Sequence, residues 1–473
     1  MNYLARFCAL VLFAAATIAA PGLAAPPDPL TLMNAQNAPG MEVVVVDHGK
    51  VVTNAAYGVK NVTTKAPVDV HTRFEIGSIT KQFTAAAILQ LKERGKLSLD
   101  DRLGKYVPQY APGKDVTIRQ LLWQISGIPN YTDTPAFGRE MALRHGAIVF
   151  LHPGNFRAIL AIIAHTPLHF APGAKWEYSN SNYVLLGRIV EITSGMSWET
   201  YVAKNIFARA DMRESSFMID EPRTADVATG YRPARGAFVP AQTGDGWAAS
   251  AGAIVSTASD LAKWDTSLFD GRIVAPADVT LMTSPGPLPA PAGDLRYGFG
   301  WIIDTFDGQP RVWHNGGTNG FNASNHVYPG LAQDIIVLTN SGVAKAASIA
   351  QAVFDGLHPD IVAAQSAASA GEDPAITARA KAAWQGFMTG VFDRSQLSAA
   401  MNAAMTPAVL ASARAQFTTL GDATSWTYKG RTSDANAIST YQYRVLFSTG
   451  TALNIFMSID AMGKLSAYYA RPV

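Results

Sequence analysis

The 473-residue chain carries 38 Lys plus Arg against 36 Asp plus Glu, a formal net charge of +2, which excludes the basic footprint of a nucleic-acid-binding protein. Hydrophobic residues make up 48% and charged ones 16%, which excludes intrinsic disorder and, at this length, calls for at least two hydrophobic cores. The single cysteine, Cys8, falls in a segment expected to be removed, so disulfides and a thiol nucleophile are excluded as well.

Residues 1–24 read as a secretion signal: Arg6 precedes an uncharged apolar stretch from Phe7 to Ala20, and Gly22 and Ala24 suit a peptidase cut before Ala25. The stretch is too short to span a bilayer and has no polar face for a retained interfacial anchor. Cys8 lies too far from the cut to carry a lipid. The expectation is a periplasmic or secreted product without a stable membrane anchor.

Met41 to Asp47 and Lys50 to Gly58 are β-rich runs joined by His48-Gly49, a hairpin signal. Ile79 to Glu93 is apolar nearly all round and closed by Gly95, predicting a buried helix. Helical patterns follow at Thr117 to Trp123, Phe156 to Ala164, Asn182 to Ser194 and Trp198 to Phe207, giving a mainly helical lobe. Strand-type runs return at Phe299 to Thr305, Pro310 to His314, Asn322 to Tyr328 and Asp334 to Thr339, and most simply join the first hairpin in one antiparallel sheet under a helix from Val343 to Leu357. From Ala363 to Asp373 the chain turns Ala/Ser-rich and acidic, the composition of a linker, and a domain boundary is placed there, the linker being taken as residues 358–373. A helix at Ala375 to Met388, shorter helices to about Thr419 and strands at Ser425 to Gly430, Ser439 to Ser448, Leu453 to Ile459 and Leu465 to Tyr469 predict a second, small α+β module over 374–473. The fold class is therefore α/β in the α+β sense: a central antiparallel sheet flanked by helices, a helical lobe, and a separate small module.

Three motifs carry chemistry. Ser78-Ile79-Thr80-Lys81 is the only place where Ser stands three residues before Lys, and it opens the buried helix. Residues three apart share a helix face, so the amine can reach the hydroxyl, and the helix N-terminus favours a forming alkoxide. A lone Ser and Lys one turn apart are common on solvated helices, but these flanks are mostly apolar, so this lysine would be buried and in need of a partner. Tyr178-Ser179-Asn180 is the only Tyr-x-Asn and sits at the entrance of the helix near Asn182. A tyrosine beside a lysine ammonium has its phenolate favoured, which would let it take the proton of Ser78; the bland alternative is that Tyr178 packs and Asn180 caps a helix. His314-Asn315-Gly316-Gly317 ends a strand, where glycines permit close approach of a substrate to the backbone and an N–H could serve an oxyanion. His152-Pro153-Gly154 repeats the His-x-Gly pattern, but only the later copy follows both other motifs.

In that order, Ser78 to Lys81, Tyr178 to Asn180 and His314 to Gly316, the chain resembles the superfamily of class C β-lactamases, D-aminopeptidases, carboxylesterases and DD-carboxypeptidases. Leu121-Leu122 with Ser126-Gly127-Ile128-Pro129, Tyr178 through Arg188, Ala251-Gly252 through Trp264, and Tyr297-Gly298-Phe299-Gly300-Trp301 also resemble elements of that family, so the likeness covers about residues 30–357. The resemblance implies a β-lactamase-like domain in which Ser78 is acylated by an ester, amide or short-peptide substrate, Lys81 and Tyr178 transfer protons, Asn180 orients Lys81 and substrate, and the N–H groups of Ser78 and Gly317 hold the oxyanion. His314, Asn315 and Gly317 depart from the Lys-Thr-Gly or His-Thr-Gly expected where a substrate carboxylate is held, which ranks ester or amide hydrolysis, or D-amino-acid peptide hydrolysis, above β-lactamase or DD-carboxypeptidase activity unless Thr318 compensates. The C-terminal module is similar to nuclear-transport-factor-like cone domains over Tyr441 to Pro472.

Rival readings are weaker. No serine has the flanking glycines of a Gly-x-Ser-x-Gly elbow. A metal at His165 and His169 lacks an acidic or histidine partner nearby and is interrupted by Pro167, so neither metal nor cofactor is expected. A non-catalytic penicillin-binding receptor stays open as the different-class alternative.

Overall fold

The computed structural model describes residues 29–143, 155–164, 166–218, 226–234, 236–241, 248–288, 295–367, 369–434, 437–449 and 451–472. The proposed signal, Cys8, His152-Pro153-Gly154 and His165 lie outside the described residues.

The β-rich runs and the turn between them fold as expected: β1 (Gly40–Asp47) and β2 (Lys50–Gly58) form a hairpin at one edge of a seven-stranded sheet. The later strands β3 (Arg296–Tyr297), β4 (Ile302–Phe306), β5 (Gln309–Thr318), β6 (Phe321–Tyr328) and β7 (Gln333–Thr339) complete it in the order β2-β1-β7-β6-β5-β4-β3. Neighbours are antiparallel throughout, with β1 paired to β7, so the first and last strands of the domain close on each other, Val43 opposite Val337. One face packs on α1 (Thr80–Glu93), α2 (Asn180–Ser194) and α3 (Ala258–Phe269) through a core that includes Val44, Phe83, Leu186, Leu261, Trp264 and Ile336. The other face packs on α4 (Ala346–Leu357), with Ile349 and Phe354 against Tyr328, Ile335 and Val337.

Glu42 on β1 is fully buried, and its Oε2 accepts the N–H of Ala258 at 3.0 Å in the first turn of α3. The helix terminus favours the anion, but burial wins and pushes the carboxyl from 4.5 up to about 8. Because the unfolded chain releases this proton first, stability falls as pH rises from about 4.5 through about 8. Glu42→Gln keeps the acceptor and removes the titration, so urea unfolding is expected to show a gain on the order of 2 kcal/mol at the alkaline end and almost none at the acidic end of that window.

Some boundaries differ from the sequence expectation. The segment taken as linker, 358–373, contains α5 (Pro359–Ser366), because Pro359 starts a turn, Asp360 suits a helix N-terminus and Ile361 packs on the α4 cluster. The strand read as Phe299 to Thr305 begins at Ile302, since Gly300 adopts φ +80° and turns the chain first.

The second module has its own core. Helices α6 (Pro374–Thr389), α7 (Ala399–Ala404) and α8 (Pro407–Phe417) pack on an antiparallel meander of β8 (Ala423–Ser433), β9 (Ser439–Phe447), β10 (Ala452–Ile459) and β11 (Leu465–Pro472) around Trp384, Phe387, Tyr443 and Ile455. It is fixed to the first domain by Arg444, which forms a buried two-pronged ion pair with Asp307 in the β4–β5 turn, and by Lys429, whose ammonium donates to the carbonyls of Gln365 and Ala367.

Candidate active site

Ser78 sits in a single 3-10 turn, Gly77–Ile79, that runs directly into α1. Gly77 adopts φ +51°, and a Cβ there would stand 2.7 Å from the Gly317 nitrogen. Gly316 is tighter, since a Cβ would meet the Ile76 carbonyl oxygen at 1.8 Å and the Ser78 nitrogen at 3.1 Å. The glycines of β5 thus let the strand backbone lie against the backbone of the serine turn. The His-Asn-Gly-Gly segment lies inside β5 and does not end it: the strand runs on to Thr318, pairing Gly316 with Ala323 and Gly317 with Asn322.

Lys81, one turn into α1, has no solvent exposure. Its Nζ lies 2.9 Å from Ser78 Oγ, 2.8 Å from Asn180 Oδ1 and 2.8 Å from the Ala251 carbonyl oxygen. Its electrostatic neighbours are these dipoles and the faces of Tyr178 and Tyr183, with no carboxylate among its hydrogen-bond partners, and burial lowers its pKa well below 10.5. Tyr178 OH donates to Ser78 Oγ at 2.9 Å. The expected phenolate is not favoured: burial raises the Tyr178 pKa well above its ordinary value, with the Ser78 hydrogen bond only partly opposing it.

The entrance of α2 is held by a loop for which the sequence reading assigned no role. Gln124, at φ +62°, accepts the N–H of Ser179 and the amide of Asn182 through Oε1, and its carbonyl accepts the N–H of Glu177. Asn130 Oδ1 accepts both the backbone N–H and the side-chain amide of Asn180, at 3.1 and 3.3 Å, which fixes Asn180 with its oxygen toward Lys81. Both residues flank the Ser126-Gly127-Ile128-Pro129 stretch, so position beside that segment was the only signal for them.

His314 is buried, its Nδ1 2.6 Å from the Asn315 carbonyl and its Nε2 3.0 Å from Tyr297 OH. A carbonyl only accepts, so Nδ1 carries the proton and Nε2 accepts from Tyr297. Burial, reinforced by Lys81, lowers its pKa to about 3, and the ring is neutral. Trp176, Tyr178 and Tyr297 form an aromatic wall beside it, ring centres 6.0–6.4 Å apart. Asn315 and Gly317 face solvent, whereas the Thr318 hydroxyl is buried without a partner among the described residues. His169 does have an acidic partner, contrary to expectation, because its loop folds back to bring Glu177 Oε1 within 2.6 Å of Nδ1.

The three motifs therefore converge, with Ser78, Lys81, Tyr178 and Asn180 in one hydrogen-bonded group and the glycines of β5 behind it. The family model described as Beta-lactamase matches residues 30–358, most of the chain. The chain belongs to the β-lactamase family. Among curated relatives, Protein flp of Staphylococcus aureus (strain MRSA252) is 28% identical over 313 residues, 64% of this chain and 59% of that protein, so the chain spans less than two thirds of that relative. The structure of a penicillin-binding protein from Bacillus halodurans is 28% identical with a TM-score of 0.61, covering 70% of this chain and 99% of that one. That of the octameric penicillin-binding protein homologue from Pyrococcus abyssi is 24% identical with a TM-score of 0.63 and covers 93% of this chain and 94% of that one, a likeness of fold that extends through the second module. Among the described residues of this β-lactamase-family chain, no helix is long and apolar enough to cross a membrane.

Proposed function

We propose that this chain is an exported serine hydrolase that cleaves ester or amide bonds, including those of D-amino-acid peptides, through an acyl-enzyme on Ser78. The observation that carries the reading is the buried relay around Ser78 Oγ. Lys81 Nζ touches two groups that can only accept, Asn180 Oδ1 and the Ala251 carbonyl, and one that can also donate, the Ser78 hydroxyl. A neutral lysine satisfies all three by donating two protons and accepting from Ser78, while Tyr178 donates to the same oxygen.

In this mechanism Lys81, left neutral by burial, takes the Ser78 proton as Oγ attacks the carbonyl. The N–H groups of Ser78 and Gly317 hold the oxyanion, Tyr178 delivers its proton to the leaving group, and water then releases the acyl group by the reverse relay. Activity is lost as pH falls through the lowered Lys81 pKa, because the base is then protonated. Neutral His314 and the buried Thr318 hydroxyl give a substrate carboxylate neither charge nor hydroxyl, which favours neutral esters and amides over β-lactams. Signal cleavage near Ala25 and a nuclear-transport-factor-like character of 374–473, supported by α6 laid on a meander, are part of the same proposal.

The test is turnover of short-chain p-nitrophenyl esters, D-alanyl peptides and nitrocefin, with Ser78→Ala as control. Ester or amide turnover is expected to exceed that of nitrocefin and to drop about 10^3-fold or more in the variant. Equal rates in the variant would refute Ser78 as nucleophile, and a stable penicillin adduct without turnover of any substrate would replace the hydrolase with a receptor.

A further inference from the structure

Asn180 Oδ1 meets Lys81 only because its amide faces one way, and the cause of that orientation lies further from Ser78. The 129–131 loop is pinned to the start of α2: Ser181 Oγ donates to the Pro129 carbonyl at 2.6 Å and accepts the Tyr131 N–H at 3.0 Å. Asn130, between these two anchors, is half-buried, and its side chain lies against Asn180. Beyond it, a 3-10 turn, Tyr131–Asp133, brings the exposed Asp133 carboxylate to 3.0 Å from Asn130 Nδ2.

A side-chain amide can be turned end for end at little cost unless its partners demand one sense. Asn130 meets two such partners. A carboxylate only accepts, so Asp133 holds Nδ2; the backbone N–H of Asn180 only donates, so it holds Oδ1, at 3.1 Å. The Asn180 amide then has a single sense left, with Nδ2 donating to Asn130 Oδ1 at 3.3 Å and Oδ1 turned to Lys81 Nζ at 2.8 Å. Every donor in this chain points away from Lys81 and toward Asp133. With one N–H given to Asn180 and the other to the Ala251 carbonyl, the lone pair of a neutral Lys81 is left for the Ser78 hydroxyl.

We propose that Asn130 is a positioning residue for acylation, one that fixes the Asn180 amide and so keeps the Lys81 lone pair on Ser78, a role that rests on the reading of Ser78 as nucleophile and Lys81 as its base. Asp133 fixes Asn130 in turn. Without Asn130 the Asn180 amide is free to turn, present Nδ2 to Lys81 and occupy the lone pair, and Ser78 keeps its proton. The titratable groups that face Lys81 are Tyr178, Tyr183 of α2 and His314 of β5. Asp133 is the first carboxylate reached along the chain of bonds, two amides away from the lysine.

The role is tested by the rate at which a fluorophosphonate labels Ser78 in the full chain, followed across pH. Asn130→Leu keeps the volume and removes both hydrogen-bonding ends, and labelling is expected to slow about tenfold or more at every pH. In Asn130→Asp combined with Asp133→Asn, the net charge and each bond of the chain are kept while the carboxylate moves one link nearer Lys81. Labelling is expected to recover to within about threefold of the parent at alkaline pH. The limb on which it falls with falling pH is expected to move up by about half a unit or more, because a nearer negative charge favours protonated Lys81. A merely structural Asn130 would leave that limb in place. Circular dichroism identifies a variant that fails to fold, and the double variant decides if Asn130→Leu is lost. Parental labelling in folded Asn130→Leu, a double variant slowed about tenfold or more at every pH, or a recovered double variant with an unmoved limb would each overturn the proposal. Labelling of Ser78→Ala at the parental rate would instead remove the nucleophile, and this role of Asn130 with it.

Discussion

Lys81→Met is expected to lower kcat/KM for an ester substrate by about 10^3-fold or more while leaving the thermal midpoint within about 3 °C of the parent. The two effects separate because Lys81 holds both a chemical and a structural position. Methionine fills a similar volume, removes a fully buried amine, and in the proposed mechanism takes away the base that receives the Ser78 proton. Against that gain, Asn180 Oδ1 and the Ala251 carbonyl lose a donor, a cost of about 1–3 kcal/mol for each acceptor left dry. Paired measurements of steady-state hydrolysis and calorimetric melting check both halves. A variant that labels with a fluorophosphonate at the parental rate would show that another group deprotonates Ser78.

Gly316→Ala is the second large effect, and it is expected to damage fold and activity together. A Cβ at 1.8 Å from the Ile76 carbonyl cannot be accommodated by moving a side chain, because the obstacle is backbone on both sides. Either β5 retreats from the serine turn or the turn is pushed outward, costing about 3 kcal/mol and about 100-fold in kcat/KM as the Gly317 and Ser78 nitrogens part. Gly317→Ala is the control. Its Cβ would meet nothing nearer than Asn322 Nδ2 at 3.9 Å, so stability should stay within about 0.5 kcal/mol. Equal unfolding free energies for the two variants would rule out the proposed backbone contact as the reason for glycine.

What the sequence disclosed follows from how locally each feature is encoded. Ser78, Lys81, Tyr178 and His314 carry side chains whose chemistry is visible in any context, and the unbroken apolar runs of Val43 to Val46 and of the helix after Ser78 announce elements buried on all sides. Gln124 and Asn130 were not legible because a neutral amide in a polar loop looks like any turn residue; only the return of the 169–182 segment gives their oxygens something to hold. The extent of β5 was misread for a related reason. Consecutive glycines read locally as the end of a strand, whereas here they answer a demand made by residues far away in the chain, 76–78. The helix at 359–366 was masked by its Ala/Ser composition, which weighs less than the proline that starts it and the isoleucine it buries. The Tyr178 phenolate was expected from one electrostatic contact, and burial, which sequence spacing does not report, overrode it.

The Arg444–Asp307 contact bears on how the two modules depend on each other. Asp307 sits at the turn where β5 begins, and the far part of the same strand, at Gly316 and Gly317, lies against the turn that carries Ser78. Prising the C-terminal module away would return two shielded charges to water at one end of a rail whose opposite end flanks Ser78. The appended domain is in this sense a brace for that strand, and a truncated chain would have to hold it in place with one anchor fewer.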